Sequence, residues 1–293
     1  WTLSRGLGDV YKRQVCDINN NPQNPVINVR AWGEDPATVA ALASAFQRGL
    51  SSSGVLGCAK HFPGHGDTAS DSHLDLPVLP HDRPRLDQLE LQPFKALIEA
   101  GVDSVMTAHL LLPQLDSQRP ATLSRKVLTD LLRRDLAFDG LVVTDALVME
   151  AITRHTGAAE AAVLAFEAGA DLILMPADAQ AAISGISQAL AQGRIPIQRL
   201  QSALQRRKKA LERCAPADDS NPNIVDQTDL ALEQELVQAT LQLYPGAGIP
   251  AAKGINLIRI DSVWPCPALS GQAPALLHPV SYTHLTLPTN CVV

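Results

Sequence analysis

Five short apolar segments, residues 15–19, 55–60, 102–108, 141–145 and 172–175, recur along this chain with longer helical stretches between them. Each is rich in β-branched or aliphatic residues and too short for a helix, so each reads as a buried strand. Asp35-Pro36 opens a helix running to about residue 53, with proline in its first turn, where it costs nothing. Further helices are expected at 86–100, 125–135 with Ser124 as cap, and 158–168. Strands separated by helices predict a parallel sheet with crossover connections. The expected fold class is therefore α/β, a (β/α)8 TIM-barrel-like catalytic domain. Five strands are three short of closure. In such barrels chemistry sits at the carboxyl ends of the strands.

One strand end is unusually dense in reactive groups. Gly54 to Ala59 reads as a strand, and Lys60-His61-Phe62-Pro63-Gly64-His65-Gly66-Asp67-Thr68-Ala69-Ser70-Asp71-Ser72-His73 follows as a loop. A lone histidine is more often a hydrogen-bonder than a catalyst, but this clustering points to a site. Asp71 and His73 lie two apart, which in an extended loop puts both side chains on one side. The carboxylate can then accept from one imidazole nitrogen and leave the other to a substrate, a carboxylate-backed proton shuttle. Gly64 and Gly66 would let the loop close over a ligand. A second strand, Leu141-Val142-Val143-Thr144, ends in Asp145. That acid faces the mouth of a barrel, although capping the next helix would suit it equally.

These residues carry a resemblance. The KHFPGHGDTxxDSH run, the GLVVTDALVM strand and Asn24-Pro25-Val26-Ile27-Asn28-Val29-Arg30 together resemble the β-N-acetylglucosaminidase (β-N-acetylhexosaminidase) branch of glycoside hydrolase family 3, continuously from about Val15 to about Met175. The resemblance implies Asp145 as nucleophile, His73 backed by Asp71 as general acid/base, and Arg30, Lys60 and His61 as substrate-binding residues. It implies a retaining glycosidase that removes terminal β-linked N-acetylglucosamine by double displacement, with no cofactor and no metal. The DSH element separates this branch from the family's β-glucosidases, which use a carboxylic acid further along the chain. Chemistry agrees, because an imidazole already titrates near neutral pH, whereas a glutamic acid must be tuned upward to donate a proton there.

Three other readings use the same residues. His61, His65, His73 and Asp71 could ligate a hydrolytic metal, although their spacing lacks the helical H-E-x-x-H pattern. A family 3 β-glucosidase-like hydrolase is another alternative. So is a non-catalytic carbohydrate-binding relative or an inactive fragment. His109, just past another strand end, fits either pocket lining or packing.

Composition narrows the partners. A net charge of −6 and a pI near 5.7 leave no electrostatic footprint for nucleic acid or an anionic membrane, so a neutral small-molecule carbohydrate fits best. Muropeptide-derived and chitin-derived N-acetylglucosaminides fit equally, the first implying peptidoglycan recycling. Oligomeric state is not encoded. Cys16, Cys58, Cys214, Cys266 and Cys291 are odd in number and scattered, as expected of thiols in a reducing compartment, which favours a cytoplasmic location.

The barrel domain, N-terminally incomplete as the resemblance implies, is assigned to residues 15–214; its last helices are near 180–192 and 197–213, the latter carrying Arg206-Arg207-Lys208-Lys209, which is expected to be solvated. Residues 215–227 read as a polar linker and 228–279 as the start of a truncated second α/β domain, with a helix at 230–243 and a strand at 255–260. Residues 1–14 and 280–293 do not continue the pattern and read as adapter-derived, which makes the chain an internal fragment.

Overall fold

The computed structural model describes residues 14–70, 72 and 75–214, with scattered positions beyond, including 258–260 and 283–285. The chain divides into two compact units, Trp1–Asp218 and Asp219–Val293. The first holds a parallel sheet of β1 (Cys58–Phe62), β2 (Ser104–Thr107) and β3 (Leu141–Val143) in that order. It is extended at one edge where Val15 bridges Lys60 in parallel, and at the other where Val143 bridges Leu172. All five expected strand positions therefore lie side by side in sequence order, the arrangement of consecutive βα units.

Every residue of β1, β2 and β3 is buried, as expected of parallel strands covered on both faces. Phe62 of β1 meets Phe94 edge-on at 5.2 Å between ring centroids, inside a core that includes Leu97, Val105, Leu110, Leu128 and Val142. Helix α1 (Pro36–Ser52) begins as expected, with the Asp35 carboxylate accepting from Thr38 N at 2.8 Å.

The helix expected over 86–100 is split into α2 (Arg83–Gln88) and α3 (Gln92–Glu99). Between them Glu90 turns inward and is buried, and Pro93 restarts the helix in its first turn. Helix α4 (Lys126–Asp135) has π-type pitch, closing with Leu136 N donating to Leu131 O at 3.0 Å. Ser124 Oγ accepts from Val127 N at 3.3 Å, as a cap would. Helices α5 (Ala158–Ala168), α6 (Ala179–Ala191) and α7 (Ile197–Arg213) follow, with α5 and α6 packed together.

The basic run on α7 divides in two. Arg206 is partly buried and reaches the buried Asp171 at 3.5 Å as well as the exposed Asp139, while Arg207, Lys208 and Lys209 stay exposed, Lys209 with its ammonium 3.5 Å from Asp139. Gln14, the last residue of the amino-terminal segment that does not continue the sequence pattern, is buried, and its Oε1 accepts from Cys58 N at 2.6 Å. In the second unit β4 (Ile258–Ile260) pairs in parallel with β5 (Thr283–Leu285). The linker, most of the expected second-domain helix and residues 1–13 lie outside the described residues.

Candidate active site

The carboxyl ends of the first strands are fastened by one acid. Asp17, two residues beyond the Val15 bridge, has a fully buried side chain. It accepts from His61 N at 3.1 Å on both oxygens, from His61 Nδ1 at 2.7 Å and from His65 N at 2.7 Å. The pairing Cys16 N to Lys60 O at 2.7 Å brings it there. A carboxylate facing Nδ1 requires a proton on that nitrogen, so the His61 ring is oriented with Nε2 left for other partners. Burial works to raise the Asp17 pKa, but the charge and hydrogen bond of His61 outweigh it and hold the carboxyl below its ordinary range.

Asn24 ties two of the motifs together. Its Nδ2 donates to His65 O at 2.7 Å and Gly66 O at 3.0 Å, while its Oδ1 accepts from Ile27 N at 2.7 Å. The two glycines are used for close packing. A Cβ on Gly66 would lie 1.7 Å from Ile18 O, and Gly64, at φ +131°, would place one 2.8 Å from the Glu90 Cβ. Closure over a ligand, the role expected of them from sequence, is not what this geometry requires.

Asp145 stands two residues past β3, its Oδ1 accepting from Ala146 N at 2.8 Å. Burial pushes its pKa up, yet the charges of His61 and His109, the Ala146 N–H and the Lys60 ammonium bring it below the ordinary carboxylate value. Lys60 is buried, and its pKa is lowered chiefly by that burial, with Arg30 adding to the effect and Asp145 opposing it. Arg30 itself is exposed, with Nε donating to Val26 O at 2.8 Å. The fold thus brings Lys60 and His61 within electrostatic reach of Asp145, and Arg30 within reach of Lys60. His109 braces the turn after Asp145, with Nε2 3.0 Å from Ala146 O and Nδ1 2.8 Å from Thr122 Oγ1. Asp71 and His73 lie outside the described residues.

Half of the rival metal set, Asp71 and His73, shares that position. Of the other half, His61 Nδ1 and both ring nitrogens of His65 are already in hydrogen bonds. Among the described residues the group that could hold a metal is Asp67, His81 and Glu90. A cation is already there: Arg85 lies 3.0 Å from Glu90 and 3.5 Å from Asp67, and His81 Nε2 is 2.9 Å from Asp67.

Residues 14–209 match the model of the glycosyl hydrolase family 3 N-terminal domain. The chain belongs to this family. Its fold is accordingly TIM-barrel-like α/β, and the five parallel strand positions are consecutive staves of that barrel. The chain is 43% identical over 174 residues to beta-hexosaminidase A of Pseudoalteromonas piscicida, covering 55% of this chain and 29% of that protein. It is 44% identical over 154 residues to a beta-hexosaminidase of Neisseria meningitidis serogroup C, covering 52% and 42%. The chain therefore spans less than half the length of these relatives. A solved family 3 beta-N-acetylglucosaminidase from Paenibacillus sp. str. FPU-7 superposes with a TM-score of 0.76 at 37% identity, covering 93% of this chain and 56% of that one.

Asp17 acts on the site without having been singled out in the sequence; Asn24 opened a motif without being given a role, and His109, left between pocket lining and packing, braces the Asp145 turn. The strand-end rule that picks out Asp145 misses Asp17, because the segment read as 15–19 put it inside the strand, whereas the parallel bridge is at Val15.

Proposed function

We propose that the protein is a retaining glycoside hydrolase that removes terminal β-linked N-acetylglucosamine, or more broadly N-acetylhexosamine, from a small carbohydrate substrate. The observation that carries this reading is Asp145 just past the end of β3, where the charges of His61 and Lys60 help to bring its carboxyl below the ordinary range. The names of the relatives, beta-hexosaminidase and beta-N-acetylglucosaminidase, support the substrate class.

In the first step an Asp145 carboxylate oxygen attacks the anomeric carbon, and the bond to the leaving oxygen breaks as that oxygen takes a proton from His73. In the second, neutral His73 takes a proton from water, whose oxygen attacks the same carbon and releases Asp145. Asp71 steadies the imidazolium present before the first transfer and after the second. Arg30, Lys60 and His61 hold the sugar. Neither step calls for a metal or organic cofactor. Muropeptide-derived and chitin-derived substrates fit the same chemistry. Among the described residues no helix is long and apolar enough to cross a membrane.

The test is Asp145→Asn, assayed on aryl N-acetylglucosaminide and aryl glucoside. Turnover of the N-acetylglucosaminide should fall by at least about 10³-fold with folding intact, as losses at catalytic groups do. Undiminished turnover, with the glycosyl intermediate trapped on another residue, would overturn the assignment.

A further inference from the structure

His65 is a buried, titratable side chain that takes no part in the proposed reaction. Its ring spans two hydroxyls, with Nδ1 2.7 Å from Thr68 Oγ1 and Nε2 3.1 Å from Ser72 Oγ. Ser72 is itself buried, 3% exposed, and in sequence it stands between Asp71 and His73.

The Asn24 amide has two hydrogens, and its two shortest contacts, His65 O at 2.7 Å and Gly66 O at 3.0 Å, take both. The ring therefore bridges the two hydroxyls in either neutral tautomer. With the proton on Nδ1 it donates to Thr68 and Nε2 accepts from Ser72; with the proton on Nε2 it donates to Ser72 and Nδ1 accepts from Thr68.

We propose that His65 is a positioning residue that fixes the backbone at Ser72, and through it the two residues bonded to Ser72, Asp71 and His73. The inference rests on the reading of those two as the acid/base pair. Three anchors hold His65 rigidly in place. Its N–H is on Asp17 Oδ1, its carbonyl on Asn24 Nδ2, and Nδ1 on Thr68. Each neighbour of Ser72 has its Cα only about 3.8 Å away along the chain. Catalytic groups must be held to roughly 0.5 Å, so one hydroxyl anchored between them governs both. Burial above all, helped by the charge of His61, brings the His65 pKa down to about 4. Near neutral pH the ring stays uncharged, and it bonds one hydroxyl as donor and the other as acceptor.

Removing His65 would strip several anchors at once, so Ser72→Ala is the cleaner variant. It should lower kcat for an aryl N-acetylglucosaminide with a poor leaving group by about tenfold, a fraction of what general acid catalysis supplies, and leave KM unchanged. With a good leaving group, glycosylation should change by less than about twofold, because little proton donation is needed. Ser72→Thr, which keeps the hydroxyl, should restore the rate.

The decisive measurement adds Ser72→Ala to His73→Ala. If Ser72 acts through His73, the second substitution costs nothing further at the glycosylation step. Two losses that multiply, or a Ser72→Ala loss equal across leaving groups, would overturn the positioning role while leaving His73 as the acid. If His73→Ala alone shows no dependence on the leaving group, the acid/base reading fails and the inference falls with it.

Discussion

Two buried carboxylates, Asp17 and Asp171, stand at opposite edges and opposite ends of the same sheet, and they are satisfied in different ways. Asp17, at the carboxyl end of the first strand, accepts from two backbone N–H groups and one imidazole. Asp171, just before the fifth strand position, faces Arg133 at 2.5 Å, Arg199 at 3.0 Å and Arg206 at 3.5 Å, and accepts from Val142 N at 3.0 Å. Both side chains are fully buried. Guanidinium groups arriving from α4 and α7 neutralise charge and tie outer helices to the sheet, and several can share one acid. N–H groups and a single ring nitrogen are directional, and they fix where His61 and His65 point. The amino-terminal end of this barrel is thus built for cohesion and its carboxyl-terminal end for orientation.

The contrast breaks first at Asp171. Asp171→Ala leaves Arg133 and Arg199 buried without their counter-ion, a change that costs about 3–5 kcal/mol. A large drop in denaturation midpoint is expected, with kcat and KM of the folded fraction unchanged. Altered kinetics in correctly folded protein would show that this end also serves the chemistry.

Acid should act next, and selectively on the carboxyl-terminal end. The His65 pKa of about 4 lies below the ordinary 6.5, so between these values the unfolded chain binds the extra proton. Its contribution is fully present above pH ~6.5 and is lost as pH falls toward ~4, amounting to about 3 kcal/mol. Asp17 is lowered as well, so its contribution is present above the unfolded carboxylate pKa of ~3.9 and is lost as pH falls below it. Unfolding followed from pH 7 to 4 should show stability falling in step with proton uptake. A flat profile over that interval would exclude His65 as a source of acid sensitivity.

How much of this could be read from the chain differs by element. The strands are legible because runs such as Leu141-Val142-Val143 are apolar on both faces, and α1 is legible because Asp35-Pro36 is a local start signal. The split of α2 from α3 is hidden, since apolar periodicity runs through Leu89 and Leu91 while Glu90 turns inward toward Arg85. Arg206 departs from the solvated run expected of it for a similar reason: a basic run shows its charge but not which member reaches the buried Asp171. Lys60, His61 and Asp145 are legible by density and strand-end position. The role of Asp17 is not, because it depends on a partner 44 residues away that only the sheet brings alongside.

Asp17→Asn sharpens the comparison most, although its effect on stability is the smallest of the three. The amide keeps one acceptor oxygen but presents an NH₂ to donors, so one of the N–H groups of His61 or His65 loses its partner. A buried donor left unpaired costs about 1–3 kcal/mol, less than stranding the arginines at the other end. The His61 ring can meet the amide only by moving its proton from Nδ1 to Nε2, which exchanges the group it offers to the sugar. KM for the N-acetylglucosaminide should therefore rise more than kcat falls, since His61 is proposed to bind rather than to react. Thermal unfolding and steady-state kinetics on the same preparation check both halves. A variant as destabilised as Asp171→Ala with unchanged KM would mean that Asp17, too, serves cohesion alone, and the distinction between the two ends would be lost.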